Sequence, residues 1–309
     1  MSKFQVNFLG CGSATSTMKH LPTSQVLDIR DNLYMIDCGE GAQLQMRRMK
    51  LKFSRLNHIF ISHLHGDHCF GLPGLISTMG LLGKGGTVVI HIFKDGAEQF
   101  GRLFEFFCRE MPFNIEFNII SVSNQVIYED SAITVTTIPL KHRVPSVGFL
   151  FQEKPKQANI IGEMAKFYDI PKFKLQGIRE GADFVTADGV IVSNNRLVTP
   201  AEPAISYAYC SDTLPYQRTI SAIQGVDYLY HEATFANDKI LQAKKTFHST
   251  AQQAAEVALK ANAKNLILGH YSSRYDDLSI LLNEAKEVFP NTILSNEGLT
   301  LELDKIIKV

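Results

Sequence analysis

The sequence predicts a mixed α/β protein, and three observations carry that reading. Short β-rich runs crowd the first half, strands alternate with helices from Ser206 onward, and His or Asp residues follow several strand ends. Phe4–Gly10 alternates apolar and polar residues and then breaks at glycine, which reads as a strand and turn. Gln25–Ile29 and Asn32–Ile36 are two more strand-like runs around a charged turn, and Asn57–Ser62 is a short buried strand. Leu72–Leu82 is apolar at helical spacing, Thr87–Phe93 is β-branched, and Ala97–Arg109 reads as a helix. Ile115–Ile138 holds three strands. Tyr207–Cys210, Tyr228–Tyr230 and Asn265–Gly269 are strands that lead into Ser211-Asp212-Thr213, His231-Glu232-Ala233-Thr234 and His270. Ser249 with Gln252 three residues on predicts a capped helix over Thr250–Ala261. Asp277–Val288 is a helix closed by Pro290, and Thr292–Leu294 and Leu299–Leu303 are strand-like.

Composition narrows the function classes. The chain has 309 residues, one large domain or two small ones, with 45% hydrophobic and 20% charged residues, an ordinary globular balance. Lys+Arg and Asp+Glu are both 31, which excludes a histone-like basic binder but not a nucleic-acid partner, because a local basic patch or a bound metal can supply the field. The start, Met1–Asn7, lacks the apolar core of a signal peptide, and the most hydrophobic stretch, Gly71–Phe93, is broken by Lys84 and glycines. No membrane span is therefore expected. Cys11, Cys38, Cys69, Cys108 and Cys210 are odd in number and widely spaced, so they read as free thiols of a reducing, cytoplasmic compartment.

The informative run is Ser62-His63-Leu64-His65-Gly66-Asp67-His68, directly after a strand. On extended chain, residues two apart point the same way, so His63 and His65 can grip one ion. The chain then turns at Gly66, and Asp67 and His68 face a different point, which suits two metals side by side. His142, Asp212, His231 and His270 also sit at strand ends, where a rigid scaffold can hold a ligand. His58 and His91 lie inside apolar strands and read as core histidines. From Gln152 to Arg196 periodicity fades. Seven Lys/Arg (154, 156, 166, 172, 174, 179, 196) stand against six Asp/Glu (153, 163, 169, 180, 183, 188), as in a functional or surface excursion.

The run His63, His65, Asp67, His68 matches the HxHxDH signature, and here the sequence resembles the metallo-β-lactamase superfamily. Within it, the chain is similar over nearly its whole length to the short-form ribonuclease Z family. Leu9-Gly10-Cys11-Gly12-Ser13, Ile36–Gly41, Phe70–Leu75, Pro139–Phe149, Ser211-Asp212-Thr213, His231–Phe235, His248-Ser249-Thr250 and Gly269–Tyr275 follow in family order. The resemblance implies a four-layer αβ/βα sandwich of two mixed sheets, one metallo-β-lactamase-like domain over 1–309 with an exosite-type arm inserted at about 152–196. It implies two zinc ions, manganese being an alternative: one held by His63, His65 and His142, the other by Asp67, His68 and His270, with Asp212 between them. Asp67 would also accept a proton, His248 would act as general acid or oxyanion stabiliser with Glu232 orienting it, and Arg274 beside Ser272 would contact the scissile phosphate. His231 is expected to be structural. The implied activity is removal of the 3′ trailer from precursor tRNA by a cytoplasmic homodimer, leaving a 3′-hydroxyl on the tRNA. Other phosphodiesterases or arylsulfatases of this fold, and a non-catalytic RNA-binding member, are the alternatives. The arm departs from the family pattern, a Pro-Gly-Pro-like element followed by a Leu-Lys-x-Gly-like one: Ile170–Gly177 lacks the first, and only Leu175-Gln176-Gly177 echoes the second. Lys154, Lys156, Lys172 and Lys174 are its expected tRNA contacts, making binding sensitive to salt.

Overall fold

The structure, a computed structural model, describes residues 4–304. Met1–Lys3 and the stretch 305–309, which the sequence reading includes in the single domain, lie outside the described residues. Two seven-stranded sheets organise the chain. The first contains β1 (Phe4–Gly10), β2 (Ser24–Ile29), β3 (Asn32–Ile36), β4 (Leu56–Phe60), β5 (Thr87–Ile92) and β6 (Asn114–Ile119). The second contains β7 (Val126–Glu129), β8 (Ile133–Pro139) and β9 (Val147–Glu153). Four two-residue strands follow: β10 (Asn159–Ile160), β11 (Phe184–Val185), β12 (Ile191–Val192) and β13 (Val198–Thr199). The second sheet is completed by β14 (Ser206–Cys210), β15 (Tyr228–Glu232), β16 (Asn265–Gly269) and β17 (Thr292–Leu294). Then β18 (Thr300–Glu302) returns to the first sheet beside β1. Strands β3 to β6 run parallel, as do β14 to β17, so each sheet has a parallel half whose strand ends open at one edge.

Burial explains the layering. Phe4, Phe8, Tyr34 and Phe60 from one sheet pack against Phe149, Phe151, Tyr207, Tyr209 and Tyr230 from the other. The outer face of the first sheet is covered by the helices Ala42–Arg48, Leu72–Leu81 and Lys94–Phe107. The outer face of the second is covered by Ala251–Lys260 and Ser279–Val288. Each fully buried aliphatic or Phe side chain contributes about 1.5–3 kcal/mol relative to exposure, so these three apolar layers supply most of the drive. The result is helix, sheet, sheet, helix, the four-layer arrangement of the metallo-β-lactamase fold.

Local chemistry moves several boundaries. The cap of the helix Ala251–Lys260 is Thr250, whose Oγ1 accepts from the Gln253 amide at 3.2 Å while Gln253 Oε1 accepts from the Thr250 amide at 3.0 Å. The capping box is thus shifted by one residue from the expected Ser249/Gln252 pair. Ser249 is drawn inward instead, its hydroxyl donating to Thr213 O at 2.6 Å. The helix expected from Ala97 begins at Lys94, and the one expected from Asp277 begins at Ser279. There Asp277 Oδ1 accepts from the Ser279 amide at 2.8 Å and delays the first turn.

Residues 153–204 form a second compact unit with its own small core of Ile178, Phe184, Val192, Leu197 and Val198. Its cations do not behave alike. Lys156, expected as an RNA contact, is instead ion-paired with Glu153 at 3.2 Å and Glu202 at 3.6 Å, its side chain only 12% exposed. Lys172 and Lys174 are exposed around the exposed ring of Phe173.

Candidate metal centre

The site is assembled where strands end. The chain leaves β4 through Ser62 and delivers His63 and His65; the short helix Gly66–Cys69 turns Asp67 and His68 the other way. His142 follows β8, Asp212 follows β14, and His270 follows β16. Ala14, Asp37, Phe247 and His270, all at or beside the site, adopt positive φ (+40°, +54°, +61° and +59°) without being glycine. Backbone strain of this kind persists where surrounding contacts over-determine it.

Two donor cages result. In the first, His63 Nε2 lies 3.0 Å from His65 Nδ1, which is 3.4 Å from His142 Nε2. Asp212 Oδ2 stands 3.5 Å from His63 Nε2 and 3.7 Å from His142 Nε2. In the second, Asp67 Oδ2 is 3.5 Å from both His68 Nε2 and His270 Nε2. Asp212 Oδ1 is 3.4 Å and 3.1 Å from the same two nitrogens. Asp212 therefore places one oxygen in each cage. Tetrahedral ligands about 2.0–2.2 Å from a zinc-sized ion lie roughly 3.3–3.6 Å apart, and the donor separations here, 3.0–3.7 Å, bracket that range. His68 Nε2 and His270 Nε2 are buried and make no hydrogen bond, so the donor set fits a bound metal.

The outer nitrogens explain why the inner ones are free. His63 Nδ1 is 3.0 Å from Ser62 Oγ, which donates to Asp37 Oδ2 at 2.8 Å. His68 Nδ1 donates to Asp37 Oδ2 at 2.7 Å, and the Ser62 amide to Asp37 Oδ1 at 2.7 Å. His142 Nδ1 donates to Phe247 O at 3.0 Å. His270 Nδ1 donates to Thr234 Oγ1 at 3.0 Å, and Thr234 in turn donates to Glu232 Oε2 at 2.6 Å. Such contacts fix ring orientation and tautomer. His65 departs from the rule, presenting Nδ1 to the cage.

Electrostatics follow the geometry. Burial pushes His63 and His142 below their ordinary values and takes His65 down to about 4, which favours the neutral, ligating imidazole. Burial opposes ionisation of Asp67 and Asp212, but the surrounding imidazoles outweigh it and hold both carboxyls well below the usual range. At His248 burial is outweighed by Glu232, which raises the imidazole to about 9. His248 Nδ1 donates to Glu232 Oε1 at 2.9 Å, while its Nε2 faces Asp212 Oδ2 at 3.9 Å.

His65, Asp67, Asp212, His248 and His270 open onto a cavity of about 860 Å³, which Ser272, Arg274 and Arg143 also line. Arg274 Nη1 donates to Ser272 Oγ at 3.1 Å, and its guanidinium lies 5.8 Å from the Phe235 ring centre. His231 is fully buried, its Nδ1 donating to Glu232 O at 2.8 Å, and it joins neither cage. Sequence reasoning gave no role to Asp37, Thr234, the Phe247 carbonyl or the Ala14 amide, which donates to Asp67 Oδ2 at 2.7 Å. Asp37 lies within the quoted Ile36–Gly41 motif and Thr234 within His231–Phe235, and those motifs are their signals; the two backbone groups have none. A separate trio, Cys11, His20 and Glu297, is satisfied internally and fastens the loop bearing Ala14. His20 donates to Glu297 Oε2 at 2.9 Å, and the Leu21 amide donates to Oε1 at 2.9 Å.

Comparison with known proteins bears on the family and the fold. A family model described as Anti-Pycsar protein Apyc1 matches residues 4–159, a span that carries His63–His68 and His142 but not Asp212, His248 or His270. The chain is 55% identical over 304 residues to ribonuclease Z of Parabacteroides distasonis, covering 98% of this chain and 100% of that one. It is 52% identical over 305 residues to ribonuclease Z of Porphyromonas gingivalis, again covering 98% and 100%. Human tRNase Z, short form, superposes with a TM-score of 0.69 at 23% identity, over 97% of this chain and 99% of that one. A metallo-β-lactamase fold protein, YhfI of Bacillus subtilis, gives 0.70 at 17% identity, over 98% and 100%. On full-length identity the chain belongs to the ribonuclease Z family, its N-terminal half shared with the Apyc1 model.

Proposed function

We propose that the chain is a zinc-dependent endoribonuclease that removes the 3′ trailer from precursor tRNA, leaving a 3′-hydroxyl on the tRNA. The observation that carries this reading is the Asp212 carboxylate shared between two imidazole cages, with His248, held by Glu232, facing the same cavity. His63, His65 and His142 would hold one ion, and Asp67, His68 and His270 the other. Bound there, two cations supply an activated water and neutralise phosphodiester charge. Asp67, kept ionised by the surrounding imidazoles and oriented by the Ala14 amide, aligns the attacking water and accepts its proton. His248, fixed through Nδ1 by Glu232, has Nε2 free to give a proton to the departing ribose 3′-oxygen. Arg274, steadied by Ser272 and Phe235, offers a planar donor set to the scissile phosphate.

Buried, unpaired thiols suit a reducing cytoplasm, and no helix among the described residues is long and apolar enough to cross a membrane. Leu81, Leu82, Phe106 and Phe107 expose apolar area suited to a homodimer contact. Lys172 and Lys174 remain exposed for the tRNA body. The test is cleavage of a precursor tRNA mapped to the nucleotide, with and without chelator, beside a small phosphodiester. A single chelator-sensitive cut at the trailer junction is expected. Faster turnover of the small diester, or an uncut precursor, overturns the reading.

A further inference from the structure

Phe70 forms a wall between the main cavity and its neighbour. It follows the helix Gly66–Cys69, and the residue is 66% exposed. Exposure of one ring says little by itself; its place does. The ring lies against the Gly66 backbone, where an added Cβ would meet ring atoms at 2.5–2.8 Å. It is thus fixed to the His65–Asp67 turn on one side and open on the other. Phe70 and Glu40 line both the cavity over Asp67 and Asp212 and a second one of about 570 Å³. Leu64, Phe100 and Leu103 wall that second cavity, with Glu40 and Asp95 among its polar lining. Gly96 lets the helix Lys94–Phe107 approach Leu64 closely: a Cβ there would meet Leu64 Cδ2 at 2.5 Å. No Lys or Arg lines this cavity among the described residues.

Apolar walls and carboxylates repel phosphate and accept a flat, uncharged group. A nucleobase leaving the main cavity over Phe70 is such a group, since every base has a π-face for an aromatic platform. The direction follows from the placement of His248. The nucleotide whose 3′-oxygen departs must lie by His248, whose ring centre is 6.3 Å from that of Phe235. Phe70 stands with Gly66 and Asp67 instead, so the base it meets belongs to the other flanking nucleotide.

We propose that Phe70 is a specificity-determining residue, the stacking platform that seats the first base of the trailer in this second cavity. The inference rests on the trailer-removal reading above and adds to it the substrate position that the enzyme grips beyond the cut.

The experiment measures kcat/KM for the wild type, Phe70→Ala and Phe70→Trp on three precursor tRNAs. One is intact, one is abasic at the first trailer nucleotide, and one is abasic at the last tRNA nucleotide. Phe70→Ala should lower kcat/KM on the intact substrate roughly 10-fold, the scale of one base–aromatic stack. The abasic trailer should cost the wild type a similar factor and cost Phe70→Ala nothing further, while Phe70→Trp keeps the wild-type pattern. The abasic tRNA end should affect all three enzymes equally. Losses that multiply at the trailer position, or coupling to the tRNA-side base, overturn the proposal. So does a Phe70→Ala chain whose sedimentation mass drops, because the cavity is then a contact between copies. Should Phe70→Ala not fold, a wild type indifferent to the missing trailer base overturns it just as firmly. In each of those outcomes the wild type still cuts precursor tRNA; a wild type that cuts none defeats the trailer-removal reading itself.

Discussion

Two histidine clusters occupy this protein, and they do opposite things. At the strand ends, the inner nitrogens of His68 and His270 are buried without hydrogen bonds, close to carboxylates. In the inter-sheet core, His58 and His91 satisfy each other. His58 Nδ1 is 3.1 Å from His91 Nε2, and His91 Nδ1 is 2.9 Å from Asn118 Nδ2. Phe60 stacks on His91 at 4.2 Å between ring centres, and Tyr128 lies 4.1 Å from His58. The nearby carboxylate, Asp130, is occupied by Tyr34 and Tyr128. A metal centre is therefore distinguished by donors left without protein partners, not by how many imidazoles meet.

Perturbing each cluster should separate them. The largest effect belongs to Asp212→Ala, which removes an oxygen from both cages at once. Metal content by emission spectroscopy should fall for both ions and turnover should vanish; a variant that keeps one ion at full occupancy contradicts the shared role. His248→Ala should lower kcat about 10²–10⁴-fold, the usual worth of a general acid, with metal content intact. Loss of metal along with rate would make His248 a ligand instead. Asp37→Asn disturbs the support of His68 and, through Ser62, of His63. Metal affinity in a competing-chelator titration should weaken about 10–100-fold.

The smallest functional effect belongs to His91→Phe, which should leave metal content and turnover unchanged. Its signature is pH-dependent stability. Burial holds His58 at about 4 and His91 at about 3. Each is neutral when folded and takes up a proton on unfolding below about 6.5. That stability is present above pH 6.5 and declines as the pH falls toward 4 and 3. Urea midpoints across pH 6.5 to 4 should thus drop less steeply for His91→Phe than for the wild type. Identical slopes would remove the core histidine from the acid response.

Legibility tracked sequence distance. His63, His65, Asp67 and His68 are readable because ligand spacing within one turn is a local property of the backbone. From spacing alone His142, Asp212 and His270 are only residues after strands, and it is the family resemblance that groups them; that they meet depends on which strands adjoin, which no short window contains. Asp37, Thr234 and the Phe247 carbonyl support the ligands through contacts that span 31, 36 and 105 residues. A backbone carbonyl leaves no trace in side-chain chemistry at all. The same holds for Lys156, whose charge was plain but whose partner Glu202 was not. The shift of the cap from Ser249 to Thr250 shows the opposite limit. Both residues are good caps, and the pull of Thr213 O on Ser249 decided between them.

His63, His65, Asp67 and His68 follow a strand of one sheet, while His142, Asp212 and His270 follow strands of the other. The proposed coordination shell therefore straddles the seam between the two halves of the sandwich. Its occupancy adds binding free energy to the docking of those halves, because an unfolded chain holds no such shell. Stripping the ions should leave a protein that melts earlier, with the seam loosening first.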